Sequence, residues 1–349
     1  MDIVREYGFA RLGLLGNPSD GYGGKTISLL IRDYFASVIL YEWEEFELVL
    51  SQQDHCRFDS IDGLIQDVRT QGYYGGIRLV KAAVKKFFDF CRRMQSEGLP
   101  GYELHDRKFS VRYESNIPRA VGLAGSSAII VATMRALMRF YGVSIPLPLL
   151  PTLVLSVETE ELRIAAGLQD RVIQSYGGLV YMDFHPRSQQ FLHGMTHGLY
   201  EPLPLETTPP LYVAFAADAG EPTEIFHNNL RARYELKDRE VLDAMPRFAR
   251  FAEEGRTAIL NGDRDRLHEL MNANFDLRRS LVKLPPRHVA MVEAARAVGA
   301  SAKFAGSGGA IVGTYPDAET FLALKERLAA LPGCPCRVFK PTPATLETL

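Results

Sequence analysis

The sequence predicts an α+β protein of two domains. Its 349 residues exceed the roughly 100 to 200 that one domain usually holds. Strand-like and helix-like patterns occur in both halves of the chain. The stretch 185–210 is rich in Pro, His, Gly and Thr, which is typical of a connection. We therefore place the boundary near residue 205, with domains over 1–205 and 206–349.

Each predicted element follows from the spacing of its apolar residues. Alternating apolar residues indicate strands, and three- or four-residue spacing indicates helices. The first domain is predicted to contain, in order, strand 7–15, strand 25–31, helix 74–94, strand 109–115, helices 129–141 and 149–162, and strand 178–184. The second is predicted to contain strand 211–217, helices 239–260, 264–282 and 287–298, a strand pair within 302–314, helix 318–331 and a strand at 337–340.

Composition and charge exclude several classes of protein. Hydrophobic residues make up 46% of the chain and charged residues 23%, as in ordinary globular proteins. The net charge of −2 gives no general attraction to nucleic acid or to anionic membranes. We find neither an apolar membrane span nor the apolar core of a signal peptide. We therefore expect a cytoplasmic protein, a monomer or homodimer, with no nucleic-acid or membrane partner.

The cysteines and one basic stripe each leave an alternative open. Cys56, Cys91, Cys334 and Cys336 form no Cys-x-x-Cys pair, so we expect reduced, structural thiols, with Cys334 and Cys336 as an alternative redox pair. Basic residues on predicted helix 74–94 either contact an acidic partner or form a solvated helix face. The overall charge balance favours the solvated face.

A small-residue turn at 118–128 leads directly into predicted helix 129–141. Gly122 and Gly125 let backbone N–H groups approach an anion, and the positive end of the helix dipole attracts it. Ser126 and Ser127 add hydroxyls that can reach a phosphate oxygen or a metal. An ordinary capped helix start is the alternative.

Three such small-residue loops occur, at 16–24, 122–127 and 306–309. Together with the segments GLLGNPSD (13–20), AGLQDRV (166–172), GGLVYMDF (177–184), NFDLRR (274–279) and KFAGSGGA (303–310), their order resembles the GHMP small-molecule kinases, in particular the branch that phosphorylates glucuronate. The resemblance covers nearly the whole chain.

The resemblance implies a fold and an activity. The fold would be the two-domain GHMP kinase fold, with an N-terminal domain like domain 2 of ribosomal protein S5 and a ferredoxin-like C-terminal domain. The reaction would be transfer of the γ-phosphoryl group of ATP to the anomeric hydroxyl of D-glucuronate, giving glucuronate 1-phosphate and ADP. Galacturonate, L-fucose or a heptose is the alternative substrate. A catalytically silent ligand sensor is the alternative of another class.

The resemblance also assigns the nucleotide site. It implies that ATP phosphates bind the second loop, which comprises Gly122, Leu123, Ala124, Gly125, Ser126, Ser127 and Ala128. Glu158 lies twelve residues before Asp170, the spacing of the magnesium carboxylate and catalytic aspartate in galactokinase-like members. Glu158 and the Ser127 hydroxyl are therefore expected to bind Mg²⁺. From the residues alone, the acidic run 158–161 is better interpreted as a solvated helix surface, and Glu160 and Glu161 are competing ligands.

The catalytic and sugar-binding residues follow from the same resemblance. Asp170 is expected to act as the base, with a helix cap as its alternative role. Arg11 is expected to neutralise phosphate charge, with a surface position as the alternative. Asn17 and Asp20 would contact the sugar, with a turn aspartate as the alternative for Asp20. The further predicted substrate-binding residues are Asp170, Arg171, Arg278, Ser307 and Gly308.

Selective binding of a uronic acid requires a cationic partner for its carboxylate. A neutral hexose would leave that guanidinium or ammonium unpaired, and the cost of the unpaired charge discriminates against the neutral sugar. Arg171 and Arg278 are the main candidates, followed by Arg279 and Lys25. A helix-surface position is the alternative for the arginines. For the third loop, at 306–309, a tight hairpin turn is the alternative to a ligand contact.

The chain departs from the family pattern at two places. The second loop, Gly122-Leu123-Ala124-Gly125-Ser126-Ser127-Ala128, contains one small residue more than usual. In the first loop, Asn17-Pro18 stands where galactokinases carry Glu-His, which disfavours neutral galactose as substrate.

Overall fold

A six-stranded and a four-stranded sheet organise the protein, described by a computed structural model for residues 2–49, 75–216, 224–345 and 347. The six-stranded sheet consists of β1 (Ile3–Leu15), β2 (Lys25–Trp43), β3 (Glu47–Leu48), β4 (Lys108–Ser115), β5 (Leu179–Asp183) and β8 (Leu199–Leu203). Its strand order is β3-β4-β2-β5-β8, and β1 pairs antiparallel with β2. A separate hairpin contains β6 (Gln190–Leu192) and β7 (Met195–His197).

Helices cover these sheets. In order they are α1 (Ile77–Ser96), α2 (Gly125–Tyr141), α3 (Leu150–Ser156), α4 (Gln169–Tyr176), α5 (Glu224–Glu235), α6 (Arg239–Asn261), α7 (Arg264–Leu281), α8 (Pro286–Arg296) and α9 (Ala318–Ala329). A 3₁₀ turn spans Ser19–Tyr22, another spans Pro186–Ser188, and a π-helical turn, Val157–Glu161, directly follows α3.

Helix α2 is packed directly onto β1. An ideal Cβ on Gly8 would lie 2.0 Å from the carbonyl oxygen of Ala128, so only glycine permits this approach. The helix is apolar on most of its surface and buries twelve residues, as expected for a helix enclosed on several sides. This packing fixes the N-terminus of α2 beside β1.

The second sheet has the order β10-β11-β9-β12, all antiparallel. It contains β9 (Leu211–Ala216), β10 (Lys303–Phe304), β11 (Ala310–Thr314) and β12 (Cys336–Phe339). Residues 342–344 return to the first sheet, where the amide of Ala344 donates to Leu30 O at 2.9 Å. The division of the chain at residue 205 stays a prediction.

Several predicted elements differ from the structure. The predicted loop 185–210 contains β6, β7 and β8; Pro202 is tolerated in β8 because that strand lies at the sheet edge. Predicted helix 149–162 is divided between α3 and the π-helical turn. Strand β2 extends to Trp43 rather than ending at residue 31, because it pairs with β4 over its second half. Helix α5 was not predicted.

The thiol prediction holds for the residues that the structure describes. Cys91, Cys334 and Cys336 are buried and form no disulfide, while Cys56 lies outside the described residues. No helix within the described ranges is long and apolar enough to cross a membrane.

Candidate active site

The three small-residue loops meet at one place. An ideal Cβ on Gly122 would lie 2.9 Å from the backbone nitrogen of Ser307, and one on Gly306 would lie 2.3 Å from the carbonyl oxygen of Gly122. The second and third loops therefore touch backbone to backbone, which requires glycine on both sides. The first loop is held nearby: the amide of Gly13, just before it, donates at 2.8 Å to the carbonyl oxygen of Ala305, just before the third loop.

Arg11 of β1 connects these loops to the predicted base. Its buried guanidinium donates from Nε to Asp170 Oδ1 at 2.5 Å and from Nη1 to Gly122 O at 2.6 Å and Ala305 O at 3.0 Å. Its Nη2 donates to no residue in the described part of the chain. Arg11 is therefore a central element of the site, with one N–H₂ group left for a ligand.

Two carboxylates lie together here. Asp170 is the second residue of α4, and the amide of Gln169 donates to Oδ2 of Asp20 at 3.4 Å. Gly167 lies directly against the Asp20 carboxyl, since an ideal Cβ there would be 2.1 Å from Oδ2. Burial, and then the negative charge of Asp170, raise the pKa of Asp20 to about 6. The Asp20 carboxyl can therefore hold a proton up to about pH 6.

Glu158 is fully enclosed in a polar network. The residue is 2% exposed and lies in the π-helical turn, an irregularity often found at functional sites. Its Oε1 accepts from Ser126 Oγ at 3.0 Å, and its Oε2 accepts from both Nε (2.9 Å) and Nη2 of Arg171. Arg171 Nη1 also lies 3.5 Å from Asp170 Oδ2. The predicted metal carboxylate and the predicted base thus share one guanidinium.

The structure places Ser126, not Ser127, beside Glu158. Ser127 is fully buried, and its hydroxyl donates to Ala124 O at 3.3 Å. The extra residue in the loop explains the change: α2 begins after Ala124, which is left-handed (φ 63°, ψ 48°), and successive helical residues point about 100° apart. The prediction that Ser127 joins Glu158 is corrected accordingly.

The second loop exposes only part of its predicted phosphate-binding surface. The side chains of Leu123 and Ala128 are buried behind it, whereas Gly122, Ala124, Gly125 and Ser126 are partly or fully accessible. The first amide of α2 that bonds within the helix turn is that of Ala128, which donates to Ala124 O at 3.2 Å. Preceding amides are the ones that a helix start leaves for other acceptors.

Gln174 supports this loop and was missed from the sequence. Its Nε2 donates to Phe9 O and Ala124 O, both at 2.9 Å. Gln174 follows Asp170 by four residues, so it lies on the same face of α4. The four-residue spacing from Asp170 is the sequence feature that could have identified Gln174.

The competing carboxylates point away from Glu158. Glu160 pairs with Lys86, and Glu161 lies 3.0 Å from Lys85. Both lysines belong to the basic stripe of α1, so part of that stripe is used within the protein.

Neither main candidate for a substrate carboxylate offers a free guanidinium. Each guanidinium nitrogen of Arg171 donates to Glu158 or to Gly167 O. Burial opposes its charge, but Glu158 and Asp170 outweigh burial and raise its pKa. Arg278 donates from Nη1 to Gly306 O at 2.7 Å and from Nη2 to Ser307 O at 2.9 Å, and burial lowers its pKa to about 10. These contacts make positioning the role that the structure supports for Arg171 and Arg278, in place of direct substrate binding.

The two secondary candidates are also paired. Arg279 is exposed and lies 2.9 Å from Glu293, while Lys25 contacts Glu253 and Asp183. In the third loop, Ser307 is half-buried and Gly308 has φ 146°, so this loop forms a glycine-dependent turn against Gly122.

Lys303 was also missed, because a lysine near a strand start is usually a surface residue. It is 1% exposed, and Nζ donates to Gly13 O at 2.6 Å and to Asn17 Oδ1 and Phe304 O at 2.8 Å. On the other side of the first loop, Asn274 accepts from the amide of Gly16 at 2.7 Å and donates to Asn17 O at 3.2 Å.

These loops and this fold define a class of protein: the chain belongs to the GHMP kinase family. Residues 78–178 match the model of the GHMP kinases N terminal domain, and residues 256–332 match that of the GHMP kinases C terminal. The predicted family and two-domain α+β kinase fold are confirmed.

Particular relatives are more specific. The chain is 41% identical to "Glucuronokinase 1" of Arabidopsis thaliana over 99% of its own length and 94% of that protein. It is 42% identical to "Probable glucuronokinase 2" of the same plant, over 93% and 87%. Among solved structures, Lactococcus lactis galactokinase complexed with galactose has a TM-score of 0.71 at 15% identity, covering 99% of this chain and 94% of that one, a likeness of fold.

Proposed function

We propose that this chain is an ATP-dependent kinase that transfers the γ-phosphoryl group to the anomeric hydroxyl of D-glucuronate, giving glucuronate 1-phosphate and ADP. The observation that carries the proposal of phosphoryl transfer is the meeting of Arg11, Asp170 and Asp20 of the first loop beside the contact between the second and third loops. The choice of glucuronate is supported by the glucuronokinases of Arabidopsis, at 41% and 42% identity over nearly the whole chain.

The N-terminus of α2 is the proposed phosphate site. Its first amides and helix dipole attract anions, and the adjacent Nη2 of Arg11 adds a positive charge. Phosphoryl transfer depends mainly on such positioning and charge neutralisation, because negative charge is spread over the transferred oxygens in the transition state. ATP bound in this way would direct its terminal phosphate toward the carboxylate pair.

Glu158 and Ser126 fit a magnesium ion. Their oxygens are the hard donors that Mg²⁺ prefers, and Arg171 fixes the carboxylate by its bonds to Oε2. Across the described ranges, no group of three or more His, Cys, Asp or Glu could hold a metal ion, so nucleotide phosphates and water would complete the coordination. When bound, Mg²⁺ neutralises phosphate charge.

Asp170 is the proposed base. Its Oδ1 is held by Arg11, and its carboxylate would accept the proton of the anomeric hydroxyl. Asp20 would hydrogen-bond other sugar hydroxyls. Because its pKa is raised to about 6, Asp20 is the second candidate for the base. Asn17, Ser307 and Gly308 complete the proposed sugar site. The cytoplasmic location of the protein and its monomeric or homodimeric state stay predictions.

An ADP-release assay over a panel of sugars tests the proposal. With ATP and Mg²⁺, we expect kcat/KM for D-glucuronate to exceed that for D-galacturonate, D-galactose and L-fucose. Preferential turnover of another sugar would replace the substrate. ATP and sugar binding without turnover of any sugar would favour the silent sensor.

A further inference from the structure

The first and third loops rest on buried positive charge that has no carboxylate partner. Nζ of Lys303 donates only to neutral oxygens, those of Gly13, Asn17 and Phe304. Both terminal nitrogens of Arg278 likewise donate to backbone carbonyls. No described carboxylate forms an ion pair with either side chain. An anionic ligand nearby would compensate this charge, since a buried unpaired cation is costly.

Lys303 also determines which way the Asn17 amide faces. Nζ lies 2.8 Å from Oδ1 of Asn17, and in its protonated form it has donors only, so it holds the amide with Oδ1 toward itself. The donor group of the amide, Nδ2, then faces away from Lys303, and none of the described residues supplies an acceptor for it. Burial and the charges of Arg278 and Arg11 lower the pKa of Lys303, and a bound carboxylate would favour its protonated form.

The backbone of Asn17 is fixed independently of this amide. Asn274 binds Asn17 O and the amide of Gly16, so the position of the first loop does not depend on Lys303 alone. An ideal Cβ on Gly13 would lie 3.3 Å from Nδ2 of Asn17 and 2.6 Å from Nε2 of Gln169, the residue whose backbone amide donates to Asp20, so the Asn17 amide lies on the Gln169 side of the first loop.

We propose that Lys303 is a positioning residue that presents Nδ2 of Asn17 to the substrate, and that Nδ2 donates to the carboxylate of the uronic acid. The proposal rests on the proposed function and names the group that distinguishes a uronate from a neutral hexose. It also accounts for the uronate carboxylate without Arg171 or Arg278, whose terminal guanidinium nitrogens bind protein groups.

The substitution Asn17→Asp gives the sharpest test. Asp keeps an oxygen for Lys303 but replaces the N–H₂ donor by a second oxygen that repels a carboxylate. We expect the KM for D-glucuronate to rise about 10- to 100-fold, the loss expected for a hydrogen bond to a charged group, with the KM for ATP unchanged. D-Glucuronamide, whose amide can donate to the new carboxylate, should regain affinity relative to glucuronate.

Two further variants separate positioning from folding. Asn274→Asp removes the donor to Asn17 O but leaves the Asn17 amide in place, so it should weaken glucuronate and glucuronamide equally. Lys303→Met should lower the glucuronate-to-glucuronamide ratio of kcat/KM, and combining it with Asn17→Asp should add little. A folded Asn17→Asp protein with an unchanged ratio would overturn the proposal. Absence of glucuronate turnover by the unaltered protein would instead overturn the proposed function.

Discussion

Replacing Asp20 by Asn should stabilise the ligand-free protein at neutral pH. Burial and the charge of Asp170 raise the pKa of Asp20 from 3.8 to about 6, so the folded state binds this proton more tightly than the unfolded state does. Folding stability from this group is therefore complete below pH 4 and is lost as pH rises through 6. Above pH 7, the raised pKa of Asp20 lowers the free energy of unfolding by at most about 3 kcal/mol relative to low pH.

Urea unfolding at several pH values measures this effect. Asp20→Asn should gain up to about 3 kcal/mol at pH 7.5 and about half of that at pH 5, since Asn cannot ionise. Asp89→Asn is the matched control, because Asp89 lies on the exposed face of α1 beside Lys85. A gain that is equal at both pH values, or a loss of stability at pH 7.5, would refute the reasoning. The stabilised variant should have little kinase activity, as functional residues often reduce stability.

The remaining predictions concern the loops and carboxylates. Asp170→Asn should lower kcat by about 100-fold or more with an unchanged circular dichroism spectrum; a loss below tenfold would assign the base elsewhere. Ser126→Ala should weaken Mg²⁺-ATP binding in calorimetry more than Ser127→Ala does, because only Ser126 contacts Glu158; the reverse order would contradict the correction. Gly122→Ala should weaken ATP binding and lower the thermal midpoint, because its Cβ would lie 2.9 Å from the third loop at φ 76°; an unaltered midpoint would mean that the loops do not touch.

The sequence was informative where function depends on small residues and fixed spacing. The glycines of the second and third loops predicted close approach of a ligand, which stays a prediction; the structure shows that Gly122 and Gly306 also allow these two loops to touch each other. The interval from Glu158 to Asp170 predicted a shared site, and Arg171 joins the two carboxylates. Such features are visible in sequence because they depend on the residue type itself.

Contacts between distant residues were not predictable in the same way. Ser126 rather than Ser127 reaches Glu158 because Ala124 adopts a left-handed conformation, which no periodicity indicates. Lys303 binds Gly13 across 290 residues of sequence, so its burial follows from tertiary packing alone. Strand β8 was missed because a proline-containing sequence is acceptable only at the sheet edge it occupies.

The most direct test of the account is phosphorus NMR of the reaction of this protein with ATP, Mg²⁺ and D-glucuronate. We predict ADP together with a new phosphate ester whose phosphorus couples to the anomeric proton of the sugar. A product phosphorylated at another hydroxyl, or ATP that stays intact while glucuronate is bound, would contradict the proposed transfer.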